Sequence, residues 1–166
     1  SQNRQFPWFN NPTYIYPVIP ASAATLLASK GYEVFWDDAI AENLTYEAWK
    51  RRIILERPDL VVIETKTPVI KRHWKIINEL KNESLKIENW KLKIILMGDH
   101  VTALPEESLE NSKVDFVLVG GDYDFLLLKL VENIDDPNLP KIIRDDEPRS
   151  LDDLPFIDRR LPKGKL

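Results

Sequence analysis

Asp59-Leu60-Val61-Val62-Ile63 is an almost unbroken apolar run between Pro58 and Glu64. A short run with both alternating faces apolar reads as a strand covered on each side, as in a parallel sheet held between helices. Just upstream, Thr45 has the chemistry of a helix N-cap, with Glu47 in the first turn and Trp49, Ile53 and Leu55 forming an apolar face. Pro58 ends that helix. Further back, Ser22 to Lys30 reads as a helix closed by Gly31, and Tyr32-Glu33-Val34-Phe35-Trp36 as a strand after it. Downstream, Ile70 to about Leu80 predicts a helix, and Lys81 to Lys91 its charged end and a loop. Leu92-Lys93-Ile94-Ile95-Leu96-Met97 and Val114-Asp115-Phe116-Val117-Leu118-Val119 read as strands. Between them, Pro105 suits a first helical position and is followed by Glu106 and Glu107. Tyr123 to Asn133 predicts the last long helix, and Lys141-Ile142-Ile143 a short strand in a Pro- and Asp-rich tail.

Alternation of strands and helices with buried strands predicts an α/β fold with a doubly wound, mostly parallel sheet. The expected organisation is an irregular segment over 1–16, the α/β domain over 17–134 and a tail or linker over 135–166. A doubly wound domain opens on a strand, yet Ile15 is flanked by Pro12, Pro17 and Pro20, which suits a loop. The first strand is therefore expected to be missing, the chain starting after it. No internal repeat is visible.

The chain has 166 residues, a length that suits one domain. Its 23 basic and 27 acidic side chains leave a net charge of −4 and no electrostatic reason to expect nucleic acid as a partner. The basic cluster Lys50-Arg51-Arg52 lies on a helical pattern beside acids, as a solvated face does. No apolar run approaches the roughly 20 residues of a membrane-spanning helix, and no apolar segment follows Ser1-Gln2-Asn3-Arg4, so a cytoplasmic location without a leader is expected. The absence of cysteine excludes disulfides, thiolate nucleophiles and a cysteine-held iron–sulfur cluster within the chain.

Ligands of open parallel sheets bind beyond the carboxyl ends of the strands. Those ends supply Asp37-Asp38-Ala39, Glu64-Thr65-Lys66-Thr67-Pro68, Gly98-Asp99-His100-Val101-Thr102 and Gly120-Gly121-Asp122-Tyr123-Asp124. Glycines allow close backbone approach, and helix N-termini present N–H groups to anionic parts of a ligand. Asp37 and Asp38 form either an acidic metal pair or a turn; Glu64 is a catalytic or a paired carboxylate. His100 contacts a ligand or lies packed, and as a lone histidine without cysteine it makes a poor metal site or general base. His73 is expected on the surface, and Gly120-Gly121 suits a sharp strand-to-helix turn. Trp8, Phe9, Tyr14 and Tyr16 form an aromatic stretch suited to packing over the sheet edge or capping a pocket. No P-loop, G-x-G-x-x-G or G-x-S-x-G sequence occurs. A phosphoacceptor receiver domain would need Asp where this chain has Glu64.

Four segments share their order and spacing with one family: Tyr32-Glu33-Val34 with Asp38-Ala39, Pro58 to Thr65, Gly98 to Glu107, and Val114 to Val117 with Gly120 to Phe125. They resemble the N-terminal cobalamin-binding domain of cobalamin-dependent radical S-adenosylmethionine enzymes. Leu151-Asp152-Asp153-Leu154-Pro155-Phe156-Ile157-Asp158 resembles the linker into their catalytic barrel. The resemblance implies a flavodoxin-like (Rossmann-like) three-layer sandwich with cobalamin across its carboxyl edge. Thr65, Thr67 and Thr102 would offer hydroxyls to it, and Gly98, Asp99, His100, Gly120 and Gly121 would line its approach. Val101 and Leu104 would meet the apolar ring faces, beside Tyr123. No D-x-H-x-x-G sequence is present, so no histidine of this chain is expected on cobalt. S-adenosylmethionine and a [4Fe-4S] cluster would belong to a separate barrel that performs the radical step, often methyl transfer. The expected role is cofactor binding without catalysis by this chain. Two other readings remain: a cofactor-free structural or interaction domain whose crevice is plugged by Tyr123 and Trp36, and a small Mg²⁺ enzyme using Asp37, Asp38 and Glu64.

Overall fold

A computed structural model describes residues 16–39, 42–144, 147 and 149–161. The aromatic residues Trp8, Phe9 and Tyr14, and all of the irregular 1–16 segment except Tyr16, lie outside the described residues.

Helix α1 (Val18–Ser29) is followed by α2 (Tyr46–Glu56), where Thr45 acts as N-cap by accepting from the Ala48 N–H at 3.2 Å. Strand β1 (Leu60–Glu64) comes next, then a 3₁₀ turn (Thr67–Val69) that runs straight into α3 (Ile70–Ser84). Strand β2 (Lys93–Met97) leads into two short helices, α4 (Asp99–Ala103) and α5 (Pro105–Asn111). Strand β3 (Phe116–Val119), α6 (Tyr123–Glu132) and β4 (Ile142–Arg144) complete the order. The four strands form one parallel sheet in the order β1-β2-β3-β4.

Each face of the sheet carries its own core. Ile94 and Leu96 of β2 join Val117 and Val119 of β3 against Ile70, Trp74, Ile77 and Leu80 of α3. Ile95 and Met97, with Leu118 and Ile143, pack instead on Leu126, Leu127 and Leu130 of α6 and on Ala23 and Leu27 of α1. Ile94, Ile95 and Leu96 are fully buried because helices cover both sides of β2. Each such side chain contributes about 1.5–3 kcal/mol by leaving water. The architecture is therefore a flavodoxin-like three-layer α/β sandwich.

The strands advance across the sheet in one direction, yet α3, α4 and α5 lie on one face and α6 on the other. The connection β3-α6-β4 therefore has the opposite hand to the two connections before it.

Two expectations are corrected and two are refined. Tyr32–Trp36 does not form a strand: only Trp36 makes a bridge, and Tyr32 and Phe35 are exposed, although Val34 packs on the α6-side core. Helix α3 ends at Ser84, within the charged stretch Lys81–Lys91 expected to hold its end, where Lys81 donates to Asp115 and to the Leu92 carbonyl at 2.8 Å. The Gly98–Thr102 loop is largely the helical turn α4. The short strand expected at Lys141–Ile143 is found as β4, which pairs with β3 along Val117–Val119. The segment beyond it returns to α1, where the Asp158 N–H donates to Thr25 Oγ1 at 3.0 Å. Among the described residues no helix is long and apolar enough to cross a membrane.

Candidate binding edge of the sheet

At the carboxyl end of β1 the ladder continues one residue further, with Thr65 N–H donating to the Met97 carbonyl at 2.7 Å. This brings Thr65 against Gly98, whose φ is +119°. A Cβ on Gly98 would collide with the Thr65 carbonyl oxygen, so close strand packing requires the glycine. Thr65 itself is fully buried, and its Oγ1 lies 2.9 Å from His73 Nδ1. The sequence reading turns Thr65 outward to a ligand and leaves His73 on the surface; both expectations are corrected by this pair. Burial, with Arg72 nearby, lowers the His73 pKa to about 4. His73 falls three residues after Ile70 and four before Ile77, on the stripe that packs inward, and that spacing was the available signal.

A second bonded group sits at the end of β2. His100 is 3% exposed, its ring edge against Trp74 at 6.2 Å between centroids. Its Nδ1 is 3.2 Å from Thr67 Oγ1, and its Nε2 lies 3.0 Å from Glu107 Oε2 without the alignment of a hydrogen bond. Trp74 is fixed in turn by donating Nε1–H to Ser108 Oγ at 3.0 Å. Val101, expected to meet a ligand's apolar face, is fully buried in the α3-side core, because α4 turns it inward. Glu107 and Lys66 were not singled out by the sequence reading.

The remainder of the edge is open. Leu104 is 53% exposed, and Asp99 is exposed while accepting from Lys66 Nζ at 3.0 Å. Thr102 Oγ1 stands 2.8 Å from Tyr123 Oη and 3.3 Å from the Gly120 N–H. Tyr123 is 6% exposed, and burial raises its pKa. Gly120 takes φ +129°, a conformation that favours glycine, and a Cβ on Gly121 would meet nothing within 4 Å.

Asp37 and Glu64, the acidic residues of the first two loops named from the sequence, face cations. Asp37 pairs with Arg52, which also approaches Glu42 at 3.7 Å, and Glu64 lies 3.9 Å from Lys66. Among the described residues no group of three His, Cys, Asp or Glu could hold a metal. Trp36 is half-buried and meets the Tyr16 ring edge-on at 5.6 Å.

The fold has a solved counterpart. It is similar to the N-terminal domain of the hypothetical protein TM0182 of Thermotoga maritima, with a TM-score of 0.54 and 18% identity. The match covers 80% of this chain and 99% of that one. At that identity the likeness shows the fold alone. No protein-family model and no curated protein matches the chain.

Proposed function

We propose that this chain is a cobalamin-binding module of the kind that precedes the barrel in cobalamin-dependent radical S-adenosylmethionine enzymes. The observation that carries the reading is the open glycine turn at the end of β3. Gly120-Gly121 leaves backbone accessible beside the exposed Asp99, Thr102 and Leu104, on the edge where such sheets take ligands. This donor set fits a corrin in part: a hydroxyl and a carboxylate for its amide groups, a leucine for its apolar face, and a turn without side chains for close approach. Thr67, also exposed, would stand at the border of the contact.

Gly98, Thr65, His100, Val101 and Tyr123 act in this reading as supports under the edge rather than as contacts. His100 lies between Thr67 and Glu107, which agrees with a cobalt that takes no imidazole from this chain. When bound, cobalamin supplies a metal centre able to accept and donate a methyl group. S-adenosylmethionine and the [4Fe-4S] cluster belong to a partner barrel, since the chain has no cysteine.

The test is the visible spectrum of the protein after incubation with hydroxocobalamin and desalting. The expected result is a retained corrin band that Gly121→Trp abolishes while the melting temperature stays within a few degrees. A colourless protein supports the second reading, a cofactor-free scaffold. That reading has its own observation: the pairs Thr65–His73, Thr67–His100 and Thr102–Tyr123 satisfy the edge hydroxyls without any ligand.

A further inference from the structure

We propose that Thr67, His100 and Glu107 form a nucleophile–base–carboxylate triad that hydrolyses small carboxylic esters, an activity separate from cofactor binding. Three elements bring the groups together. Thr67 opens the 3₁₀ turn after β1, His100 lies in α4 after β2, and Glu107 lies in the first turn of α5. Thr67 Oγ1 and Glu107 Oε2 flank the two ring nitrogens at 3.2 and 3.0 Å. Such a constellation is recognised by geometry and roles, whatever the order of the residues along the chain.

The environment of each group suits its role. Thr67 is exposed and can meet a substrate, whereas the imidazole is almost wholly buried and held edge-on by Trp74. His100 Nε2 is a buried nitrogen without a hydrogen-bond partner among the described residues. The carboxylate 3.0 Å from it favours the tautomer with hydrogen on Nε2 and a lone pair on Nδ1, facing the threonine. Glu107 is itself partly exposed, so it carries its charge without a large desolvation cost.

The reaction balances without a cofactor or a redox partner. Thr67 Oγ forms a bond to the ester carbonyl carbon while its proton passes to His100 Nδ1. Glu107 stabilises the resulting imidazolium. The carbon–oxygen bond to the leaving alcohol then breaks, and the alcohol takes the proton from Nδ1. Water attacks the acyl-threonine, gives a proton to Nδ1 and releases the carboxylic acid, and the proton returns to Thr67 Oγ.

The experiment uses the intact chain, free of cobalamin, with p-nitrophenyl acetate as substrate and a fluorophosphonate as trapping reagent. Thr67→Ala and His100→Gln are each expected to lower the rate by roughly 10²–10⁴-fold. Glu107→Gln should lower it by up to about 10⁴-fold, while Thr67→Ser, which keeps the hydroxyl, retains activity. Peptide mapping should find the phosphonyl adduct on Thr67. Melting curves of Thr67→Ala and Thr67→Ser identify any loss due to unfolding, and the adduct site on the unmodified sequence decides the matter independently. Hydrolysis no faster than buffer, an equal rate in folded Thr67→Ala, or an adduct on another residue overturns the proposal. None of these results bears on cobalamin retention, which is read separately.

Discussion

The carboxyl edge of the sheet has two unlike halves. Beyond β1 and β2, hydroxyls and imidazoles close on one another: Thr65 with His73, and Thr67 with His100, over a Gly98 turn that admits no side chain. Beyond β3, the Gly120-Gly121 turn stands open, with Thr102 and Tyr123 bonded beneath it. The same kind of loop chemistry thus builds a brace in one place and an accessible surface in the other. Glycine illustrates the difference, since Gly98 is required by the backbone of a neighbouring strand end and Gly121 by nothing in the protein itself. A ligand that needs close backbone approach has room at the second half alone.

The largest expected effect separates these two halves directly. Gly98→Ala should cost at least about 3 kcal/mol, through strain at positive φ and collision with the Thr65 carbonyl, read as a fall in the urea midpoint. A shift below about 1 kcal/mol would mean that the two strand ends can separate and that the brace is loose.

The next effect concerns pH. The folded-state pKa of His73 is lowered to about 4, below the ordinary histidine value of 6.5, so the unfolded chain binds the extra proton between them. This contribution is present above pH 6.5 and is lost as the pH falls toward 4, with a limiting slope of about 1.4 kcal/mol per pH unit. His73→Gln should flatten that part of the stability profile measured by denaturant titration. An unchanged slope would place the titrating group elsewhere.

Smaller still is the change at the open half. Tyr123→Phe removes the partner of Thr102 but keeps the buried ring, and should cost about 1 kcal/mol in the same titration. Gly121→Ala, with free space around the new methyl, should change stability by no more than about 0.5 kcal/mol. If Gly121→Ala destabilises as much as Gly98→Ala, the contrast between the halves fails.

The strands were legible because continuous apolar runs such as Leu60–Ile63 and Ile94–Met97 have no other stable placement than a doubly covered sheet. Thr45 was legible as a cap because its chemistry is local. The end of α3 was legible only to within the charged stretch Lys81–Lys91, since Lys81 is held by Leu92 and Asp115, which come later in the sequence. The strand expected at Tyr32–Trp36 had the right composition, yet only Trp36 bridges and Tyr32 and Phe35 stay exposed. At the edge, the rule of strand ends located the loops correctly. It could not tell which side chains turn inward, because Thr67 meets His100 across 33 positions and Val101 follows the turn of α4 into the core. The direction of a side chain in a tight loop depends on its partner, and partners of that kind leave no local pattern.

The reversed hand of the β3-α6-β4 connection bears on the order of assembly. Strand-helix-strand units of one hand predominate because the twist of the strands guides the returning chain, and that guidance cannot favour all three connections here. Helix α6 has its own anchorage on α1, through Ala23 and Leu27, independent of β4. The three-residue β4, at the edge of the sheet, is expected to open from it more readily than the central β2. Its amides should lose their protection against hydrogen exchange before those of β2, and because Arg144 pairs with Val119, an opening at this border would reach the residue directly before the Gly120 turn.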